Sequence, residues 1–317
     1  MTRLDTFKKG VDAGLSAIQK TLPSKYFYDA RGDELFVQIM NMPEYYLTDA
    51  EMEIFQGQTM GLITDLGLKK NSYFELVELG AGDGAKTKKL LEVLVAEGYQ
   101  FDYLPVDISG HALRVLAADL ATEIPKLNVE TRQGEYFEIL AGLHKSEQPK
   151  VVLFLGSSLG NMDDKLAAKF LYKLGASLRK NDKLLLGTDL VKPAEIVLPA
   201  YDDAAGITRE FNLNLLRRIN RELDADFDLE NFEHSPEYDA QRGIATSFLK
   251  SKKEQSVSIG ALNKSFSFET GEQIKTEISR KYSDEILREI IRETDFLITG
   301  KRTDSRGYFA DFILTRN

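Results

Sequence analysis

The sequence predicts an α/β protein: a doubly wound parallel sheet closed by a terminal antiparallel hairpin, with a second α+β region inserted before the closure. Three observations carry this. Strand-like and helix-like segments alternate from Tyr73 to Thr188. The run Val151–Leu155 (VVLFL) is apolar throughout, as a strand covered on both faces should be. The chain ends on two strand-like runs, Phe296–Arg302 and Phe309–Thr315, joined by the turn Asp304-Ser305-Arg306-Gly307.

Residues 1 to about 70 alternate helical patches with turns. The stretches Lys25–Asp29 and Met42–Tyr46 concentrate aromatics beside turn residues, and on composition alone such tyrosines anchor loops on a core. Tyr73–Leu79 (YFELVEL) is a strand that breaks at Gly80-Ala81-Gly82-Asp83-Gly84, with a helix through about Ala96. Asp102–Val106 is a second strand, ending at Asp107. Ser109 caps the next helix, whose Leu113, Leu116, Ala117 and Leu120 keep helical spacing. Asn128–Gln133 is a third strand, Val151–Leu155 the fourth, Asp163–Leu178 a helix and Lys183–Thr188 the fifth strand. The alternation then stops. Ala200–Leu223 reads as helical, and Gly243–Leu249 with Gln255–Leu262 as an antiparallel hairpin turning near Lys252-Lys253, extended by Lys275–Tyr282. Ser283 caps a last helix with Ile286, Leu287, Ile290 and Ile291 on one face.

Composition excludes several functions. The 317 residues are 43% apolar and 29% charged, ordinary for a globular protein and unlike a disordered one. The 41 basic and 50 acidic residues leave a net charge of -9, which disfavours a nucleic-acid binder and admits a small-molecule substrate. Cysteine is absent, which removes disulfides, thiolate metal sites and cysteine nucleophiles. No stretch approaches the ~18 apolar residues of a membrane span, and the start lacks a signal peptide's apolar core. The expectation is a cytoplasmic monomer without membrane or nucleic-acid partners. His111, His144 and His234 form no HxxH or HExxH frame, so no metal is expected.

Three motifs bear on chemistry. VELGAGDG (77–84) places glycines between a strand and a helix, where the backbone can approach a ligand and the helix presents free amides. Gly80, Gly82 and Ala85 also satisfy the relaxed dinucleotide pattern. Asp107, ending the next strand, can accept both ribose hydroxyls of a nicotinamide cofactor or of S-adenosylmethionine. The terminal hairpin and the insertion favour the methyl donor. Gly156-Ser157-Ser158-Leu159-Gly160 fits a nucleophile elbow, with Asp189 and His234 in hydrolase order; that reading leaves the glycine loop and Asp107 without a task. Otherwise GSSLGN is a turn at the ligand-binding edge of the sheet, where Asn161 offers an amide to a substrate.

The parallel half, closing helix and terminal hairpin resemble the class I (Rossmann-like) methyltransferase sheet. From about Lys25 onward the chain resembles the histidine-specific, S-adenosylmethionine-dependent methyltransferases. The blocks carrying this are KYFYDARGDELF, MPEYYLTDAE, LVELGAGDGAKT, PVDIS, FLGSSLGN, LLGTDLVK, AYDDAAGIT, FN, NRELDADFDLENFEH and KTEISRKY. The resemblance implies trimethylation of the α-amine of L-histidine to hercynine, the first step toward ergothioneine. It implies cofactor contacts at Gly80, Lys86, Asp107, Glu135 and Tyr136, where the family more often shows Asp-Phe at the last two. It implies substrate contacts at Tyr45, Asn161 and Tyr201, with Glu277 and Ser279 reading the imidazole. Tyr28 matches a catalytic tyrosine near the amine and the donor. Ser247 aligns with a strand position that is often Met in the family. The implied organisation is an S-adenosylmethionine-binding domain of residues 62–193 and 283–317, and a substrate-binding domain of 1–61 and 194–282. A methyltransferase for another aromatic amino acid such as tryptophan is the alternative. Methyl transfer needs no metal: the nucleophile must be held ~3–3.5 Å from the methyl group, and the attacking amine must be neutral.

Overall fold

A computed structural model describes residues 3–143 and 146–317; His144 lies outside them. The chain divides into two compact units. The first runs up to Tyr46 and resumes over Lys192–Arg280; the second comprises Leu47–Val191 and Lys281–Asn317.

The first unit opens with α1 (Arg3–Leu15) and α2 (Ala30–Met40). Helices α3 (Tyr46–Gly57) and α4 (Thr59–Asp65) lead into β1 (Phe74–Leu79), α5 (Ala85–Ala96), β2 (Phe101–Asp107) and α6 (Gly110–Glu123). The short strands β3 (Asn128–Val129) and β4 (Arg132–Gln133) precede α7 (Tyr136–Leu143), β5 (Lys150–Phe154), α8 (Asp164–Ser177) and β6 (Lys183–Asp189). The chain then returns to the first unit with α9 (Ala194–Val197), α10 (Ile207–Leu223), β7 (Phe232–Asp239), β8 (Ile244–Ser251), β9 (Gln255–Ile259), β10 (Lys264–Phe268) and β11 (Gln273–Arg280). It closes in the second with α11 (Asp284–Ile291), β12 (Phe296–Thr303) and β13 (Phe309–Arg316).

The sheet of the second unit has the order β12-β13-β6-β5-β1-β2-β3, with β4 also on β2. Strands β1, β2, β5 and β6 run parallel to one another, while β13 runs antiparallel between β6 and β12. Alternation along each strand splits the core between two faces: Leu76, Leu153, Leu185 and Ile313 on one, Val77, Val152, Leu184 and Phe312 on the other. Burying each such side chain contributes roughly 1.5–3 kcal/mol. In the first unit, α10 packs Phe211, Leu215, Leu216 and Ile219 into a core with Phe7, Val11, Phe27, Leu35, Leu249 and Ile274.

Three expectations are corrected. The hairpin expected between Gly243–Leu249 and Gln255–Leu262 does not form. Both edges of β8 are taken, by β7 and β11, so β9 pairs with β10 instead, around a turn in which Asn263 has φ 50°. The helix expected from Ala200 begins at Ile207, because Gly206 adopts φ 73° and Asp203 caps the helix through the amides of Ile207 and Thr208 at 2.8 Å. The third strand is two fragments, β3 and β4, pairing with different parts of β2. The opening stretch of the first unit ends at Tyr46, and Ala50, Ile54 and Phe55 of α3 belong to the second unit's core.

Candidate active site

The glycine loop joins β1 to α5 in the second unit. Gly80, Gly82 and Gly84 have φ of 75°, 54° and 64°, the left-handed region that disfavours side chains. The amides of Gly80 and Ala81 donate to Val106 O at 2.8 and 3.1 Å, so the loop folds over the end of β2. Asp107 follows there. Its carboxylate accepts from Gly82 N at 3.2 Å and Ser109 N at 2.8 Å, which fixes it between the loop and α6. A Cβ on Gly80 would stand 2.6 Å from the Tyr136 hydroxyl, whereas one on Gly82 would meet nothing within 4 Å. The loop is thus closed on the Tyr136 side and open at Gly82, a cradle that fits the backbone-lined site S-adenosylmethionine requires. Tyr136 packs edge-on to Phe154 at 5.5 Å and Phe170 at 6.0 Å. Burial, with the charge of Asp107 behind it, pushes its hydroxyl up to about 12. Glu135 is exposed, and its carbonyl starts α7 by accepting from Glu138 and Ile139.

Lys86, in the first turn of α5, is not a solvated surface lysine. It pairs with Glu51 of α3, whose oxygens both accept from Gly156 N at 3.0 Å. Sequence reasoning missed Glu51. The available signal was an acid on an apolar helical stripe, four residues after Leu47 and three before Ile54. It also missed Glu78, which accepts from Thr87 at 2.7 Å and from Tyr103, and whose carboxyl burial pushes up to about 7.

GSSLGN follows β5. The left-handed residue there is Ser157 (φ 56°), not Ser158, and the Ser158 hydroxyl donates to Leu155 O at 2.8 Å. Asp189 forms a fully buried ion pair with Lys281 at 2.7 Å. The strained serine and available carboxylate of a hydrolase are therefore missing. Asn161 closes this turn and is exposed.

The other expected substrate residues lie in the first unit. In the β11–β8 ladder Glu277 stands opposite Ser247 and Ser279 opposite Ala245, so all four share one face. A bulge between Lys275 and Glu277 turns Thr276 aside to donate to Asn212 at 2.7 Å and Ser247 O at 3.0 Å. Ser279 is buried and accepts from the Tyr201 hydroxyl at 2.7 Å; Glu277 is half-buried. Ser247 is 1% exposed and its hydroxyl has no partner among the described residues. On the same face of β7, opposite Leu249, His234 is likewise unpartnered, and burial lowers it to about 4 against the opposing charges of Asp202 and Asp203. Tyr28 is 37% exposed, with its ring 5.6 Å from Phe36 and 6.0 Å from Phe211. Tyr45 packs on the first unit's core. Asp29, beside Tyr28, caps α2 through Gly32 N and binds Asn214 and Arg221.

A parallel sheet with one antiparallel strand inserted near its edge, and a glycine loop and an aspartate at the ends of β1 and β2, define the class I S-adenosylmethionine-dependent methyltransferases. The profile described as "Histidine-specific methyltransferase, SAM-dependent" matches residues 7–316, and the chain belongs to that family. The chain is 37% identical to the histidine N-alpha-methyltransferase of Mycolicibacterium smegmatis over 305 residues, covering 96% of this chain and 93% of that one. It is 37% identical to the histidine N-alpha-methyltransferase of Mycobacterium tuberculosis over 275 residues, covering 87% and 84%. It is 31% identical to ergothioneine biosynthesis protein 1 of Schizosaccharomyces pombe over 302 residues, covering 93% of this chain and 39% of that longer one. None of the described helices is long and apolar enough to cross a membrane.

Proposed function

We propose that this enzyme methylates the α-amino group of L-histidine three times, giving hercynine, in the cytoplasm and as a monomer, without a metal. The observation that carries the substrate choice is the β11 face. Glu277 and Ser279 project together from adjacent same-face positions, and Tyr201 orients the Ser279 hydroxyl. A neutral imidazole has one N–H and one bare nitrogen. The Glu277 carboxylate accepts from the first. Ser279, held by the Tyr201 hydroxyl, complements the same ring edge.

When bound, S-adenosylmethionine supplies an electrophilic methyl on a sulfonium. In each round a nitrogen–carbon bond forms as the sulfur–carbon bond breaks, and in the first two rounds the product ammonium must lose a proton before the next attack. Tyr28 is the residue assigned to that amine; its hydroxyl relays the proton, accepting it as its own hydrogen passes to solvent water. Asp107 holds the ribose, the amides of the glycine loop line the donor, Lys86 receives its carboxylate, and Glu135 and Tyr136 flank the adenine. Tyr45, Asn161 and Tyr201 complete the hold on the amino acid. Gripping the substrate at its ring and carboxylate leaves the nitrogen room for three methyl groups.

Incubation with S-adenosylmethionine and histidine, tryptophan or phenylalanine, followed by mass analysis, tests this. Trimethylated histidine is expected. Methylated tryptophan with unmodified histidine would replace the proposal with the aromatic alternative.

A further inference from the structure

Glu51 on α3, Lys86 on α5 and Asp311 on β13 come together from distant parts of the chain. Glu51 has a side chain 1% exposed, pairs with the Lys86 ammonium and takes the Gly156 amide on both oxygens. Glu51 and Asp311 also crowd Gly187: a Cβ there would stand 2.1 Å from Glu51 Oε1 and 3.2 Å from Asp311 Oδ1. Glycine at 187 is what lets the two carboxyl groups approach one another. Asp311 is fully buried, and neither of its oxygens has a hydrogen-bond partner among the described residues. Burial, reinforced by the charge of Glu51 and opposed by Lys86, holds Asp311 well above the usual carboxylate range. Two carboxyl groups facing one glycine disfavour each other's ionisation, and a single ammonium stands between them and solvent. Burial by itself would lower Lys86; Glu51, through its charge and its hydrogen bond, is the largest influence opposing it and keeps the ammonium charged.

We propose that Glu51 is a positioning residue for the methyl donor: it holds Lys86 beside Gly156 as a cation able to receive the donor's carboxylate, with Asp311 as the reserve that ionises in its place when Glu51 is neutralised. This rests on the assignment of Lys86 to that carboxylate. A half-buried lysine without a nearby anion is pushed toward its neutral form, and an amine does not attract a carboxylate. Neutralising both acids therefore uncouples Lys86 from the donor without touching the ribose or adenine contacts.

Two ligands separate these effects by calorimetry: S-adenosylhomocysteine, which has the carboxylate, and 5′-methylthioadenosine, which lacks it. Glu51→Gln should weaken S-adenosylhomocysteine a few-fold, and Glu51→Gln/Asp311→Asn at least about tenfold near pH 8.5, the scale of one lost charge-assisted bond. Methylthioadenosine affinity should stay within about twofold, which also reports that the site is folded. The gap should narrow toward pH 6 as Lys86 regains its proton. Equal losses for both ligands, or no loss in the double variant, would overturn the proposal. Lys86→Met tells the two assignments apart. If it preserves the ratio of the two affinities, the reading of Lys86 itself fails. If it collapses that ratio while the double variant does not, only the role of Glu51 fails.

Discussion

The glycine loop of the second unit and the β11 face of the first are both polar sites, built from different materials. The loop is a backbone site. Its conformation comes from three glycines at positive φ, and its polar groups are amides and one carboxylate that the backbone itself holds in place. The β11 face is a side-chain site. Glu277, Ser279 and Ser247 face together only because β11 pairs with β8 in one register, through a bulge. A one-residue slip of β11 would send Glu277 and Ser279 to the side of the sheet away from Ser247. A backbone site tolerates change around it but not at its glycines, whereas a side-chain site can change specificity by single substitutions while the fold persists.

The largest expected effect tests that contrast directly. Glu277→Ala should lower histidine turnover by about 10²-fold or more, because a polar ring edge would be buried unpaired. S-adenosylhomocysteine binding, read by calorimetry, should not change. Equal histidine turnover in both enzymes would remove Glu277 from ring recognition. Gly80→Ala should do the reverse. It forces an L side chain to φ 75° against the Tyr136 hydroxyl, weakening cofactor binding by about 2–3 kcal/mol, with the KM for histidine little altered. A variant that binds S-adenosylhomocysteine normally would show that the loop relaxes around a Cβ.

A smaller effect distinguishes the sheet face through pH. His234 is lowered to about 4, by burial first, against an ordinary 6.5. The unfolded chain then binds the extra proton between those values. This stability is fully present above pH 6.5 and is lost as pH falls toward 4, by about 1–2 kcal/mol at pH 5. His234→Leu should flatten that acid limb in thermal melts; an unchanged pH dependence would mean the ring is solvated. The smallest effect is expected from Ser158→Ala, with methyl transfer within about twofold of wild type, since that hydroxyl only closes a local turn. A large loss, or an esterase activity abolished by the change, would restore the elbow reading.

Local patterns are legible in the amino-acid order alone. The glycine break after β1, the acid ending β2, the caps at Ser109 and Ser283 and the terminal hairpin depend on near neighbours, and each lies where its residues indicate. Asp203 and Asp29, in two blocks shared with the family, proved to be helix caps as well. The misread hairpin shows the limit. Its two segments alternate correctly, yet which strand pairs with which depends on edges supplied from residues 232–239 and 273–280.

Contiguous residues are enough to set the alternation of strands and helices, the glycine loop and the family, because their conformational preferences need no distant partner. Long-range packing alone established that Lys86 is paired, that Asp311 is buried beside Glu51, and that Glu277 stands opposite Ser247. Those facts join positions far apart in the chain. An ion pair, a buried pair of carboxyl groups and a strand register are set by which surfaces come together, and composition and spacing carry no record of that.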